Sequence, residues 1–120
     1  MKKRLASLEE LVLLATTSLG EDAYGVTVQQ RLEAETGGVV ALGAVYAVLD
    51  RLERKGYVRS ARGEATPQRG GRRKRMFRVT APGLTALRAM GRMRSRLAQP
   101  IANRSTARAF RSASLHRRQT

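Results

Sequence analysis

Apolar side chains recur at spacings of three and four residues in four segments of the chain, which is the pattern of a helix with one buried face. The segments are residues 5–19, 24–35, 42–55 and 80–99. The third has the clearest stripe, and Gly56 follows it where a left-handed C-cap is needed. The pattern predicts a mainly helical chain.

The period changes to two between the third and fourth helices. Residues 57–61 and 76–79 predict two strands, and the turn-forming, basic stretch between them predicts a hairpin with a long tip. Tyr57 and Phe77 are expected to face the core. A further short apolar run, residues 39–41, is compatible with a brief strand. Three helices, a basic hairpin and a last helix are typical of a winged helix-turn-helix. In this fold the third helix enters the DNA major groove, and the hairpin, called the wing, lies along the backbone or minor groove.

The charge distribution supports a polyanionic partner. The net charge is +15 over 120 residues, yet residues 1–56 hold seven basic and eight acidic residues. Residues 57–120 hold seventeen basic residues and one acid, Glu64. A merely solvated surface would intersperse acids among the bases, so the asymmetry favours nucleic acid over an anionic membrane surface.

The inventory of reactive residues argues against an enzyme. The chain has no cysteine and one histidine, His116, and its paired acids lack an accompanying base or phosphate-binding loop. No apolar run approaches the length of a membrane span, and the basic N-terminus is not followed by a signal-type apolar segment. We expect no cofactor, no metal and no membrane partner, and a cytoplasmic location.

Three runs of sequence resemble the PadR family of transcriptional regulators. They are DAYGV at residues 22–26, LGAVYAVLDRLERKGYV at 42–58 and GGRRKRMFRVT at 70–80. Each is weak alone, but their order and spacing make the combination strong, and the resemblance covers roughly residues 5–98. It departs from the family at Ala47, where proline is usual, and at Ala41, where serine is frequent and could act as a cap or a phosphate contact.

The resemblance implies a domain arrangement. The chain resembles the short subfamily, in which the last helix packs with the first helix of a second subunit. We therefore expect a winged helix-turn-helix domain at residues 1–80, a C-terminal dimerisation helix at 81–99 and a basic, mobile tail at 100–120. Some members of the family release DNA when a small aromatic or drug-like effector binds near the dimer interface, so the resemblance implies such a partner without singling out residues for it.

The residues predicted to contact double-stranded DNA come from the third helix and the wing. Small residues allow close approach to base edges, whereas hydroxyl and guanidinium groups reach phosphates or guanine. Tyr46 could instead pack against the base of the wing, and Arg51 could pair with nearby acids. An alternating strand directs Arg73 and Arg75 to the opposite face from Lys74, so the basic residues of the wing cannot all touch DNA at once. The predicted contacts are Gly43, Ala44, Tyr46, Ala47, Arg51, Arg54, Arg69, Arg72, Arg73, Lys74 and Arg75.

The predicted homodimer interface combines the first and last helices, as the resemblance implies. Its residues are Leu5, Leu8, Leu87, Met90, Met93 and Leu97. The methionines and Leu97 could form the seam with a partner helix or simply cover the core of their own chain.

The sequence thus predicts a sequence-specific DNA-binding transcriptional regulator, a dimeric repressor. The alternative is a sequence-tolerant nucleoid or RNA-binding protein, which would need exposed stacking aromatics.

Overall fold

The computed structural model describes residues 7–63 and 74–101 of the chain. Their elements follow the predicted order of three helices, a hairpin and a last helix. The bounds are α1 Leu8–Leu19, a 3-10 turn Gly20–Asp22, α2 Gly25–Thr36, α3 Leu42–Arg54, β1 Val58–Arg62, β2 Arg75–Val79 and α4 Ala81–Ala98. The chain divides into two compact units, Met1–Leu87 and Arg88–Thr120, so the division falls within α4.

The start of α1 is fixed by a cap. Ser7 has an extended backbone, and its hydroxyl accepts a hydrogen bond from the backbone N–H of Glu10 at 3.2 Å. Glu9 and Glu10 lie in the first turn, where carboxylates interact favourably with the helix dipole. Leu5, which the sequence placed on the apolar stripe, lies outside the described residues.

The turn between α2 and α3 is held by two polar side chains of α2. The Gln29 side-chain amide donates to the carbonyl oxygen of Val40 at 2.8 Å, and the Glu33 carboxylate accepts from the backbone N–H of Val40 at 2.8 Å. The Val40 side chain itself is buried in the core. These contacts fix the turn without a strand, so the brief strand considered for residues 39–41 does not form.

The core lies between the helices and one face of the hairpin. It is built from aliphatic side chains and one ring, Phe77, which is 1% exposed. The buried apolar residues are Val12, Leu13, Ala15, Ala23, Val28, Leu32, Val40, Val45, Val48, Leu49, Leu52, Val58 and Phe77. Tyr57 packs against this core from its edge, so both aromatic side chains that were expected to face inward do so.

The link from α3 to the hairpin depends on a glycine. Gly56 has a φ of +82°, a conformation that side chains with a Cβ rarely adopt. Two hydrogen bonds close the end of the helix, from Gly56 N to Glu53 O and from Tyr57 N to Leu52 O, each 2.9 Å. The predicted left-handed C-cap is confirmed.

The hairpin pairs in register from Val58 opposite Val79 to Arg62 opposite Arg75. A third segment joins it, because the backbone N–H of Phe77 donates to the carbonyl oxygen of Ala23 at 2.9 Å and Tyr24 forms an isolated bridge with Met76. The segment before α2 is therefore tied directly to the wing. The alternation of apolar residues gave no sign of this contact, since residues 23–24 are too short a run to read as a strand.

α4 begins at the predicted cap. The Thr80 hydroxyl accepts from the backbone N–H of Gly83 at 3.1 Å and donates to the carbonyl oxygen of Gly56 at 2.6 Å. Gly83 is buried, and a Cβ at this position would collide with the backbone carbonyl oxygen of Tyr57. The first turn of α4 thus lies against the start of β1, and only a residue without a side chain fits there.

Replacing Gly83 with alanine should lower the free energy of unfolding by about 1–3 kcal/mol, because the obstructing atom belongs to the backbone and cannot rotate away. Urea unfolding followed by circular dichroism measures the effect. Gly91→Ala is the matched control on the same helix, since a Cβ there meets nothing within 4 Å. It should leave stability unchanged or raise it by about 0.5–1 kcal/mol. Equal effects of the two substitutions would show that Gly83 is not sterically required.

Candidate nucleic-acid interface

α3 carries six of the eleven residues predicted to contact DNA. Gly43, Ala47, Arg51 and Arg54 are exposed, whereas Ala44 and Tyr46 are half-buried. The opposite face of the helix is in the core, where Val45 and Leu49 are fully buried. The first two turns of α3 therefore expose small side chains, over which another molecule could approach the helix backbone closely.

Tyr46 has a structural contact that the sequence did not predict. Its ring lies on Gly25, the first residue of α2, and a Cβ at Gly25 would collide with the ring, 2.7 Å from one ring carbon. The alternative expected for Tyr46 was packing against the base of the wing, but the ring instead lies against the start of α2. This contact helps to fix the angle between α2 and α3, the two helices of the helix-turn-helix.

Arg51 is engaged by an acid of α1. Its Nε donates to Glu9 Oε2 at 3.2 Å, and Lys55 Nζ donates to Glu9 Oε1 at 2.9 Å. The hydrogen bond from Lys55 is the largest cause of a lowered pKa for the Glu9 carboxyl. The hydrogen bond from Arg51 lowers this pKa further, by a smaller amount. Arg51 was expected either to contact DNA or to pair with a nearby acid. In the structure it pairs with Glu9, and this ion pair joins the second half of α3 to α1.

Arg75, at the start of β2, connects the wing to α3. Its guanidinium contacts Asp50 at 3.1 Å and Glu53 at 2.9 Å, and it lies 4.8 Å from the centre of the Phe77 ring. Glu53 also accepts from the hydroxyl of Ser60 at 2.8 Å. This group of residues sets the base of the wing against α3.

The Ser60 hydroxyl is the largest cause of a lowered pKa for the Glu53 carboxyl, and Arg75 adds to the shift. A carboxyl whose pKa is lowered by folding stabilises the folded state above its ordinary pKa of 4.5. The contribution of Glu53, like that of Glu9, is therefore lost as the pH falls below 4.5 through the lowered pKa values.

The wing strands bring arginines opposite one another. In the register of the hairpin, Arg59 faces Arg78 and Arg62 faces Arg75. Like charges directly opposite on one face of a sheet repel each other. Arg78 has only a loose contact with Glu21, at 3.6 Å between two exposed side chains, and Arg59 and Arg62 form no ion pair with any described residue.

Lys74 lies beside Tyr24, where its Nζ donates to the phenol oxygen at 3.2 Å and stands 4.4 Å from the ring centre. It is exposed, as predicted for a wing residue. Arg69, Arg72 and Arg73, the other predicted wing contacts, lie outside the described residues.

Arg59, Arg62 and Arg78 are exposed cations of the wing strands that were not among the predicted contacts, because the prediction assigned the wing contacts to the dense run of cations near the tip. Arg59 and Arg78 fall within the two predicted strands, whereas Arg62 lies one residue beyond the predicted end of the first strand. The signal that would have drawn attention to them is the pairing register, which places arginine opposite arginine and is not visible in either strand alone.

The predicted dimer residues are found in two different environments. Leu8 and Leu87 are half-buried and pack against the core of their own chain. In the second unit Met90 is half-buried, Met93 is 40% exposed and Leu97 is 78% exposed. Ile101, just beyond the helix, is 46% exposed. The apolar side of α4 beyond Leu87 is thus largely uncovered.

Within residues 7–63 and 74–101, no group of three or more histidine, cysteine or acidic side chains could hold a metal ion. Over the same ranges, no helix is long and apolar enough to cross a membrane.

The solved structures that resemble this chain include several transcriptional regulators. A transcriptional regulator of the PadR family from Eggerthella lenta is 29% identical, with a TM-score of 0.59 over 72% of this chain and 73% of that one. A PadR-like transcriptional regulator from Bacillus cereus is 19% identical, with a TM-score of 0.61 over 76% of this chain and 84% of that one. A transcriptional regulator from Clostridium thermocellum is 22% identical, with a TM-score of 0.60 over 72% of this chain and 79% of that one.

No curated protein matches the chain. The model of the transcriptional regulator PadR-like family, however, matches residues 12–89, which include α2, α3, the wing and the start of α4. The mainly helical fold with a two-stranded hairpin fits this match. The chain therefore belongs to the PadR-like family of transcriptional regulators, whose members regulate transcription by binding DNA.

Proposed function

We propose that the protein is a sequence-specific repressor that binds double-stranded DNA as a homodimer in the cytoplasm. The observation that carries the proposal is the excess positive charge of the wing strands, where Arg59 and Arg62 form no ion pair with a described residue and each lies opposite another arginine. Folding gains nothing from Arg59 and Arg62 through these pairings, because like-charged cross-strand pairs are destabilising. Phosphates of a bound duplex would supply the missing negative charge.

α3 supplies a surface for the bases. Gly43 and Ala47 are exposed on its outward face, and neither has a side chain that would hold the helix away from a groove floor. Arg54 is also exposed and forms no ion pair with a described residue, so its guanidinium is available to a phosphate or a guanine. Arg51 and Arg75 already bind acids of their own chain, which limits what they can add.

The homodimer rests on the uncovered apolar residues of α4. Met93 and Leu97 lie four residues apart, about one helical turn, and both are exposed. A second copy would remove these side chains from water and place two α3 helices on successive turns of one DNA groove. Release by a small aromatic or drug-like effector belongs to the proposal only through the family resemblance.

The sequence-tolerant alternative is not favoured. Binding of single-stranded RNA or DNA without sequence preference uses exposed aromatic side chains on which bases stack. Phe77 is buried, and the tyrosines among the described residues are half-buried, with Tyr46 packed on Gly25 and Tyr24 covered by Lys74.

Selection from a pool of random duplexes, followed by titration of the selected duplex against a scrambled one at several salt concentrations, tests the function. Charge alone guarantees some binding, so the informative quantity is the ratio of the two affinities. An operator-reading repressor should give a ratio of ~10³ or more. A ratio near one with a steep salt dependence would favour the sequence-tolerant alternative.

Replacing Arg59 and Arg62 together with glutamine tests the wing. Affinity for DNA should fall, and the slope of log affinity against log salt should become shallower by roughly 1.8, the loss of two phosphate contacts. The melting temperature should stay the same or rise, because repulsion across the hairpin is relieved. Arg51→Gln is the control, since Arg51 already binds Glu9, and it should change the slope less. An unchanged slope in the double variant would remove these strands from the interface.

Leu97→Glu should convert the dimer to a monomer at micromolar concentration, because a carboxylate replaces an apolar side chain at the proposed seam. Light scattering after size-exclusion chromatography measures the mass. Ser95→Glu, an exposed position on another side of the same helix, is the control and should remain dimeric. If the Leu97 variant is also dimeric, the seam lies elsewhere.

A further inference from the structure

We propose that the second half of α4 carries a second DNA-binding surface, which binds the phosphates of a duplex segment other than the one contacted by α3 and the wing. The surface is the arginine row, formed by Arg88, Arg92 and Arg96. These residues follow one another at intervals of four, so their side chains leave the same side of the helix. With a rise of about 1.5 Å per residue, the row extends over about 12 Å.

The arginine row borders a shallow depression. Arg88, Arg92, Arg96, Gly91 and Ser95 line an open space of about 500 Å³ on the surface of the helix. Gly91 has no side chain, and nothing lies within 4 Å of where its Cβ would be. The described residues therefore leave the side of the helix that carries the arginine row open to a ligand.

No acid among the described residues forms an ion pair with the arginine row. The last acidic residue of the chain is Glu64, so neither α4 nor any residue after it carries a carboxylate side chain. Arg88, Arg92 and Arg96 form no ion pair with any described residue. Like charges four residues apart destabilise a helix. The guanidinium group matches phosphate oxygens in a two-pronged geometry, and a bound polyanion would offset the repulsion.

The arginine row and the apolar residues occupy different sides of the helix. At about 100° per residue, the row is centred about 120° away from the midpoint of Met93 and Leu97. A second copy of the chain docked on the apolar side would leave the arginines uncovered. An interfacial membrane helix, in contrast, would need the apolar side to enter the lipid, where it could not also form the dimer seam.

Duplex DNA is the occupant that the charges favour. B-form DNA carries one negative charge per about 1.7 Å of its axis, so a row of three cations over about 12 Å always lies close to several phosphates. A protein whose α3 and wing are already bound to DNA also experiences a high local concentration of neighbouring duplex. The proposal rests on the proposed function for this second argument and for the dimer seam that excludes a lipid surface. The charge and geometry of the row stand without it.

The test is a two-duplex capture experiment with the full chain. One duplex is immobilised, the protein is added, and a second, fluorescent duplex of random sequence is offered at salt concentrations from 50 to 200 mM. The wild-type protein should retain the second duplex, with an affinity that falls about 40-fold across this range, as three phosphate contacts require. In the triple variant R88Q/R92Q/R96Q, capture of the second duplex should fall at least tenfold, while binding of the first duplex changes less than threefold.

Two further variants sharpen the result. R88K/R92K/R96K preserves the charge and should keep at least half of the capture, which separates loss of charge from loss of helix structure. Ser95→Glu places a carboxylate within the row and should reduce capture severalfold with a single change. Circular dichroism should show the same helix content in every variant.

Equal capture by the wild type and the glutamine variant would overturn the proposal, since two duplexes would then be held by the two winged domains of a dimer. Binding to vesicles of phosphatidylcholine and phosphatidylserine is measured in parallel. If the glutamine variant loses vesicle binding but not DNA capture, the row serves a lipid surface and the proposal is wrong. Failure of sequence selectivity on the first duplex would count against the proposed function alone, because capture of the second duplex does not depend on it.

Discussion

The burial of one face of α3 is the constraint on which the rest of the structure depends. Val45, Val48, Leu49 and Leu52 enter a core shared with α1 and with Phe77 of the hairpin. At about 25 cal/mol per Å² of apolar surface removed from water, such a face supplies far more free energy than any surface contact in the chain. Because a helix buried on one side must present its other side outward, the same packing exposes Gly43, Ala47 and Arg54. The candidate base-reading surface is a geometric consequence of the core.

Ion pairs on the surface then join the helices and the hairpin that the core has brought together. Glu9 joins α3 to α1 through Arg51 and Lys55, and Glu53 joins α3 to the hairpin through Ser60 and Arg75. Exposed ion pairs of this kind contribute only about 0.2–1 kcal/mol each. Their more important effect is on the distribution of charge, because they neutralise cations at the joints between elements. Among the described residues, Arg54 of α3, Arg59 and Arg62 of the wing, and Arg88, Arg92 and Arg96 of α4 have no such acid partner, and these are the positions at which we propose that a polyanion binds.

Most of the fold could be predicted because each helix has a strong period and a local stop signal. The buried stripe of α3, the left-handed Gly56 and the Thr80 cap are all encoded within a few residues of where they act. The features that could not be predicted are contacts between residues that are distant in the chain. The ring of Tyr46 on Gly25, the pairing of Ala23 with Phe77 and the capture of Arg75 by Asp50 and Glu53 depend on tertiary packing that no periodicity reveals. For the same reason the sequence indicated the basic wing, but not which of its arginines are already engaged.

The most direct test of the account is to observe which backbone amides respond to DNA. Amide nitrogen–proton spectra of the labelled protein should be recorded while a selected duplex is added. The account predicts the largest shifts at Gly43, Ala44 and Ala47 of α3 and at Arg59 and Arg62 of the wing, with little change in the first turn of α1. Shifts concentrated on α1, with the outward face of α3 unchanged, would contradict it.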